Sequence, residues 1–177
     1  MSYAHHDEVA VNVAASPVAL FERLDDQERL AAHMKEPSMM MMGGRMFYEF
    51  DSQKGRAVGS VIRMGGAFLG LKLVVEEVVT VREPPRLKVW ETRGSPRLII
   101  INGYRMGFAI EDAGTNARLR VFIDYDHSNS LIGRLLALVF APLYARWCLR
   151  RMAEDAQGHF AKEVQGLQVR PATGAAR

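Results

Sequence analysis

The sequence has one cysteine and no long apolar run, and each absence excludes a class of protein. Cys148 stands alone among 177 residues, so no intrachain disulfide can form and a reducing compartment is expected. No apolar run reaches the roughly 18 to 20 residues that span a bilayer. The closest candidate, Leu131 to Ala145, contains Arg134 and Pro142. The N-terminus is polar, unlike the core of a signal peptide. We therefore expect a soluble, cytoplasmic protein.

The sequence also lacks the usual metal, cofactor and nucleophile motifs. Only His5 and His6 lie close together among the histidines, and adjacent residues cannot both point inward, so a zinc site is not expected. The glycines do not have the spacing of a dinucleotide loop, and no P-loop lysine follows them. A Gly-x-Ser-x-Gly nucleophile motif is absent, and the arginines are too scattered for nucleic-acid binding. We expect no metal, no cofactor and no nucleic-acid partner.

Charge is distributed unevenly along the chain. The totals are 23 basic and 20 acidic residues, a net charge of +3. Residues 1–50 carry four basic and eight acidic side chains, whereas residues 130–177 carry seven basic and three acidic ones. The basic end could face an anionic membrane or an acidic partner, or it could be an ordinary solvated surface.

Apolar periodicity predicts one strand, two short helices and then a series of strands. Residues 9–14 alternate as a strand does, and Ser16-Pro17 provides a helix N-cap followed by proline at the first helical position. A second helix start is predicted at Asp25, with Glu28 three residues later. From residue 45 the period becomes two. The predicted later strands are 46–50, 58–64, 71–81 (closed by Glu83-Pro84-Pro85), 87–92 (followed by a turn at Gly94-Ser95-Pro96), 98–110 and 118–125.

One long helix is predicted to close the chain, from Ser130 to about Gln165. Its first half is apolar on more than half of its circumference, which is typical of a helix clasped by a sheet. We predict an α+β fold in which a curved antiparallel sheet grips this helix. A single domain is expected over residues 1–168, followed by a disordered tail over 169–177.

This order of elements resembles the START-related (SRPBCC) superfamily. The segments that carry the similarity are Val9 to Ala14, Ser16-Pro17, Gly59 to Met64, Glu76 to Pro85, Leu87 to Thr92, Tyr104 to Phe108 and Tyr144 to Cys148. The superfamily groups lipid-transfer domains, plant pollen-allergen-like proteins and bacterial polyketide cyclase/dehydrase and aromatase domains. The resemblance implies a helix-grip fold: seven antiparallel strands around the C-terminal helix, two short helices after the first strand, and an apolar cavity. It does not select among transport, sensing and catalysis.

Polar residues on apolar strand faces are the candidates for a functional site. Glu77 interrupts an apolar face between Val75 and Val79, and a buried carboxylate must lie near an edge, be paired, or have a function. Tyrosines suit cavities because a phenol can hold the polar end of a ligand. The catalytic candidates are Glu77, Tyr104 and Tyr125. The ligand-binding candidates are Met46, Tyr48, Met64, Val75, Asn102, Tyr104, Met106, Phe108, Tyr125, Val139, Leu143 and Trp147.

Three functions fit these observations. The first is binding or carriage of a hydrophobic or amphipathic small molecule without catalysis. The second is a lyase-like enzyme of the cyclase/dehydratase kind, which needs only a positioned acid or base in a shaped apolar pocket. The third is membrane-surface association through the basic, apolar helix around Arg134 to Arg151.

Overall fold

The computed structural model describes residues 3–30, 46–68, 71–97, 101–128 and 131–168. It contains seven strands and three helices within these ranges. In chain order they are β1 (His5–Val13), α1 (Pro17–Asp25), α2 (Gln27–Leu30), β2 (Met46–Phe50), β3 (Val61–Phe68), β4 (Leu71–Glu83), β5 (Leu87–Arg97), β6 (Ile101–Ala113), β7 (Asn116–His127) and α3 (Leu131–Gln168). The tail predicted to be disordered lies outside the described residues.

All seven strands form one antiparallel sheet in the order β1-β7-β6-β5-β4-β3-β2. The first strand pairs with the last, while the others follow chain order as a meander. The predicted α+β helix-grip fold, with two short helices after the first strand and one long closing helix, is confirmed.

Two local predictions are wrong. The segment Gly94-Ser95-Pro96 does not turn the chain but lies inside β5. Val74 on β4 pairs with Arg97 on β5, and Glu76 pairs with Arg93. Between these two pairs the chain advances by two residues on β4 and by four residues on β5. The extra residues form a bulge, and glycine at position 94 permits its φ of +71°.

The second helix start is also displaced from Asp25. Asp25 ends α1, and the carboxylate of Asp26 caps α2 by accepting the Arg29 N–H at 3.2 Å. The Asp25 side chain instead points to Arg82 and Lys88, each of which has a side-chain nitrogen 2.9 Å from one of its carboxylate oxygens. Tertiary ion pairing, rather than helix capping, therefore occupies this carboxylate.

The buried side chains form two hydrophobic clusters. The main cluster joins α1 and α3 to the sheet and includes Phe21, Val79 and Phe108. The smaller one consists of Ile62, Met64 and Val75, on strands β3 and β4. Tyr104 packs against both clusters, so it marks the boundary between them.

Small residues bring α3 onto the sheet. Ala137, Ala141 and Ala145 are buried, and α3 packs mainly on β1 and β7. The small size of these alanines lets the helix approach the strands closely. Large side chains elsewhere on this half are exposed, namely Leu135, Leu138, Val139, Phe140 and Leu143. Among the described residues, no helix has the length and hydropathy needed to cross a membrane.

Candidate functional site

Glu77 lies on the inward face of β4 and is only 3% exposed. Its neighbours on that face belong to different clusters: Val75 to the smaller and Val79 to the main one. The Tyr104 hydroxyl donates a hydrogen bond to the Glu77 Oε1 atom, and the Trp90 side chain also hydrogen-bonds to the carboxyl group. The carboxyl group is thus held by two neutral donors at the boundary between the clusters.

Strand register explains how Tyr104 reaches Glu77. Glu77 on β4 pairs with Thr92 on β5. The Thr92 Oγ1 atom lies 3.1 Å from the backbone nitrogen of Tyr104 on β6 and 3.3 Å from its carbonyl oxygen. The three residues therefore form one cross-strand row, with neighbouring strands about 4.8 Å apart. The Tyr104 side chain reaches across the middle strand to Glu77.

Burial raises the pKa of Glu77 to about 7. The hydrogen bonds from Tyr104 and Trp90, and the more distant positive charge of Lys88, oppose this rise. Burial also raises the pKa of Tyr104 well above its ordinary value, and the charge of Glu77 acts in the same direction. At neutral pH Tyr104 is therefore a hydrogen-bond donor, and the neutral form of Glu77 is more populated than that of an exposed glutamate.

The described residues do not fit two of the alternatives for Glu77, an edge position and a salt bridge. The carboxyl group is not near a sheet edge, since β3 and β2 lie beyond β4 on that side. Nor is it salt-bridged within the described part of the chain, because Lys88 is engaged by Asp25. A buried carboxyl without a cationic partner favours a functional role.

More aromatic side chains surround this pair. Tyr48 on β2 and Tyr144 on α3 are both half-buried. Burial raises the pKa of Tyr48, with smaller contributions from Glu77 and Cys148. Tyr144 hydrogen-bonds to Cys148, a buried free thiol whose pKa burial raises to about 12. Aromatic side chains from both the sheet and α3 therefore lie near Glu77 and Tyr104, and Cys148 is a buried, protonated thiol.

Several predicted ligand-binding residues belong to, or pack against, the two clusters that meet at Glu77. Met64 and Val75 belong to the smaller cluster, against which Tyr48 packs. Phe108 is fully buried in the main cluster, and Met106 packs against that cluster. The side chain of Trp147 is half-buried, with its ring 6.1 Å from that of Tyr144. Met46 begins β2, and its side chain is outside the described part of the structure.

Tyr125 lies apart from Glu77, near the ends of β1 and β7. Its hydroxyl donates to the Asp7 Oδ2 atom at 3.1 Å, and its ring stacks on His5 at 5.3 Å. Burial, followed by the charge of Asp7, raises the pKa of Tyr125 to about 12. Together with His127 and Arg146 it lines a pocket of about 250 Å³ beside the ends of β1 and β7. The structure thus joins Glu77 to Tyr104 but not to Tyr125.

Three other predicted ligand-binding residues are exposed. Asn102 was expected on the inward face with Tyr104, but a register shift between Ile101 and Gly103 buries Ile101 instead. Val139 and Leu143 were expected to line the cavity. They project from the side of α3 opposite its buried alanines, since successive residues turn by about 100°.

Three contributors to the site were missed. Trp90 was not selected as a site residue, although its side chain hydrogen-bonds to Glu77. Thr92 and Tyr144 were not selected, because their proximity depends on strand register and on the placement of α3. No group of three or more His, Cys, Asp or Glu residues in the described ranges could hold a metal ion.

Comparison with solved structures identifies the architecture. A START superfamily protein from Mycobacterium smegmatis superposes with a TM-score of 0.60 and 16% identity, over 90% of this chain and 99% of the other. The Zhui aromatase/cyclase from Streptomyces sp. R1128 gives 0.55 and 18%, over 97% and 99%. The chain has the START-related helix-grip fold.

A plant enzyme shares this fold. Norcoclaurine synthase from Thalictrum flavum, in complex with dopamine and hydroxybenzaldehyde, superposes with a TM-score of 0.59 and 16% identity, over 94% of this chain and 88% of the other. No protein-family model matches the chain, and no curated protein does so. At these identities the similarity establishes the fold alone.

Proposed function

We propose that the protein binds a hydrophobic or amphipathic small molecule between α3 and the inner face of strands β2 to β6. The ligand is a lipid, an isoprenoid or a polyketide-like compound that carries a carbonyl or hydroxyl group. Its apolar body contacts Met64, Val75 and Met106, and its polar group hydrogen-bonds to Glu77 and Tyr104.

The observation that carries this proposal is the buried Glu77 carboxyl, whose hydrogen-bond partners among the described residues are neutral. In its acid form it donates to a carbonyl oxygen, and in its ionised form it accepts from a hydroxyl group. Both forms are present near neutral pH because the pKa is about 7. The apolar clusters on either side match the composition of small-molecule sites, in which a few polar groups orient a ligand among apolar walls.

The same pKa favours a second candidate function, the dehydration of a polyketide-like β-hydroxy carbonyl compound. The Glu77 carboxylate removes a proton from the carbon next to the carbonyl. As the new C=C bond forms, the C–O bond breaks with its electron pair going to oxygen. That oxygen takes the proton back from Glu77 and leaves as water. A catalytic pKa near the working pH is the best compromise for both proton transfers.

Native mass spectrometry of the protein from its host tests the binding proposal. We expect a retained small molecule, which denaturing extraction would identify as a lipid, isoprenoid or polyketide. Glu77→Gln should weaken its binding about tenfold, as expected for loss of one buried hydrogen bond to a charged or acidic group. Glu76→Gln is the matched control, because the neighbouring Glu76 pairs with Arg63 on the exposed side of β4.

The same pair of variants separates carriage from catalysis. A carrier loses affinity in Glu77→Gln, whereas an enzyme keeps much of its affinity and loses turnover by about 10²- to 10⁴-fold. Equal binding together with equal turnover in wild type, Glu77→Gln and Glu76→Gln would contradict a role for this site. So would a protein that retains no compound and binds none of the three ligand classes when they are added.

A further inference from the structure

One side of the first half of α3 is an exposed apolar stripe. At about 100° per residue, Leu135, Val139 and Leu143 lie on the side opposite the buried alanines. Their exposed fractions are 64%, 57% and 55%. Leu138 and Phe140 flank the stripe and are also more than half exposed. Contiguous exposed apolar side chains of this size mark an interaction surface more often than an ordinary solvated face.

Arginines continue the stripe toward the C-terminal end of α3. Arg146 and Arg150 follow Leu143 on the same side and are exposed. Arg146 pairs with Asp7 at 2.8 Å while its side chain remains 61% exposed. From Leu131 to Ala153 the sequence contains four arginines and no acidic residue. The stripe is thus apolar for about two turns and then basic.

We infer that this stripe, Leu135, Val139 and Leu143 followed by Arg146 and Arg150, docks on an anionic phospholipid surface. Interfacial helices have this composition. Their apolar side chains enter the boundary between headgroups and acyl chains, and their arginines lie at the level of the headgroups. Arginines near an anionic leaflet gain further attraction from its negative surface potential. The helix lies on the membrane rather than crossing it.

Charge complementarity favours lipid over a second copy of the chain. A copy packed on the same face would bring further arginines and, from residues 131–153, no acidic group to pair with them. Asp7 already pairs with Arg146, and an anionic headgroup layer supplies negative charge for Arg150. The inference is independent of Glu77, because the stripe lies on the side of α3 away from the buried alanines.

Vesicle flotation with the full chain tests the inference. We expect binding to vesicles of equal parts phosphatidylcholine and phosphatidylglycerol, weak binding to phosphatidylcholine alone, and release in about 0.5 M NaCl, where charges are strongly screened. The double variant Leu135→Gln/Val139→Gln should lose at least about tenfold in partition coefficient, the effect of removing one to two buried methylene equivalents per site. Arg150→Gln should lose about threefold to tenfold, and only with the anionic vesicles.

Two controls make the result specific. Val58→Gln changes a similarly exposed apolar side chain (63%) between β2 and β3 and should leave vesicle binding unchanged. Glu77→Gln should also leave it unchanged, which separates this surface from the ligand site. Because Leu135 and Val139 are exposed, their substitution should not lower the melting temperature.

Any of three results would overturn the inference. The first is the absence of binding to the anionic vesicles at low salt, and the second is binding that the stripe variants do not reduce. The third is a wild-type dimer, seen by sedimentation velocity, that Leu135→Gln/Val139→Gln converts to monomer. That outcome would assign the stripe to contact between copies of the chain.

Discussion

Two buried carboxylates, Asp25 and Glu77, have partners of different charge and pKa values that are shifted in opposite directions. Asp25 is 5% exposed and Glu77 is 3% exposed. Burial alone would raise both pKa values, but hydrogen bonds and charge from Arg82 and Lys88 lower the pKa of Asp25 below its ordinary value. Glu77 has neutral donors, and its pKa rises to about 7. The partner, rather than the burial, therefore decides whether a carboxylate holds the fold together or is free to change its charge.

Removing the charge of Asp25 is expected to have the largest effect on stability. Lys88 is fully buried, so Asp25→Asn leaves its ammonium group close to Arg82 without a full negative charge. Breaking a buried pair in this way costs about 3 to 5 kcal/mol. Urea unfolding at neutral pH measures the loss of free energy.

The neighbouring residue gives a matched control for this substitution. Asp26 pairs with Arg29 and Arg56 at the surface, and Asn caps a helix as well as Asp does. Asp26→Asn should cost less than about 1 kcal/mol. Equal losses in the two variants would show that Asp25 is not a special structural carboxylate.

Glu77→Gln should change how the free energy of unfolding depends on pH. Because the folded-state pKa is about 7 and the unfolded value is about 4.3, the folded state binds more protons between these values. Wild-type stability should therefore fall as pH rises from about 4.5 to about 7, by on the order of 3 kcal/mol. Gln cannot ionise, so the variant should lack this slope. Urea unfolding from pH 4 to pH 8 checks it, and parallel curves would refute the assigned pKa.

Tyr104→Phe is expected to have a smaller effect. It removes the donor to Glu77 Oε1, at a cost of about 1 to 3 kcal/mol for an unsatisfied buried group. The loss should be larger at pH 8 than at pH 5, because the ionised carboxylate needs the donor more. Tyr125→Phe is the control: its hydroxyl binds Asp7 instead, so the cost should not follow the ionisation of Glu77. A Tyr104→Phe cost that is the same at both pH values would contradict the pairing.

The contrast also shows what the sequence could predict. Glu77 was recognisable because a single carboxylate interrupts an apolar alternation, a signal that lies within one strand. Its partners were not recognisable, since Tyr104 and Trp90 reach it only through the register of β4, β5 and β6. Asp25 and Lys88 are 63 residues apart, and local spacing suggested a helix start for Asp25.

The sequence predicts the length of the closing helix but not which of its sides packs on the sheet. The period of α3 predicted its extent to within a few residues, and the fold followed from the order of the elements. Which side faces the sheet could not be predicted, because apolar residues cover most of its first half. The structure buries the alanines, whose small size permits close packing on β1 and β7, and leaves Val139 and Leu143 outside.

The measurement that tests the account most directly is a carbon-13 NMR titration of the glutamate side-chain carboxyl carbons, with Glu77→Gln used to assign the Glu77 resonance. The account predicts one carboxyl that titrates near pH 7 and disappears in Glu77→Gln. Addition of an extracted or added ligand should shift that midpoint. A Glu77 carboxyl that titrates near the ordinary value of about 4.3 would mean that it is solvated or paired with a cation, and would contradict its role as the polar centre of the site.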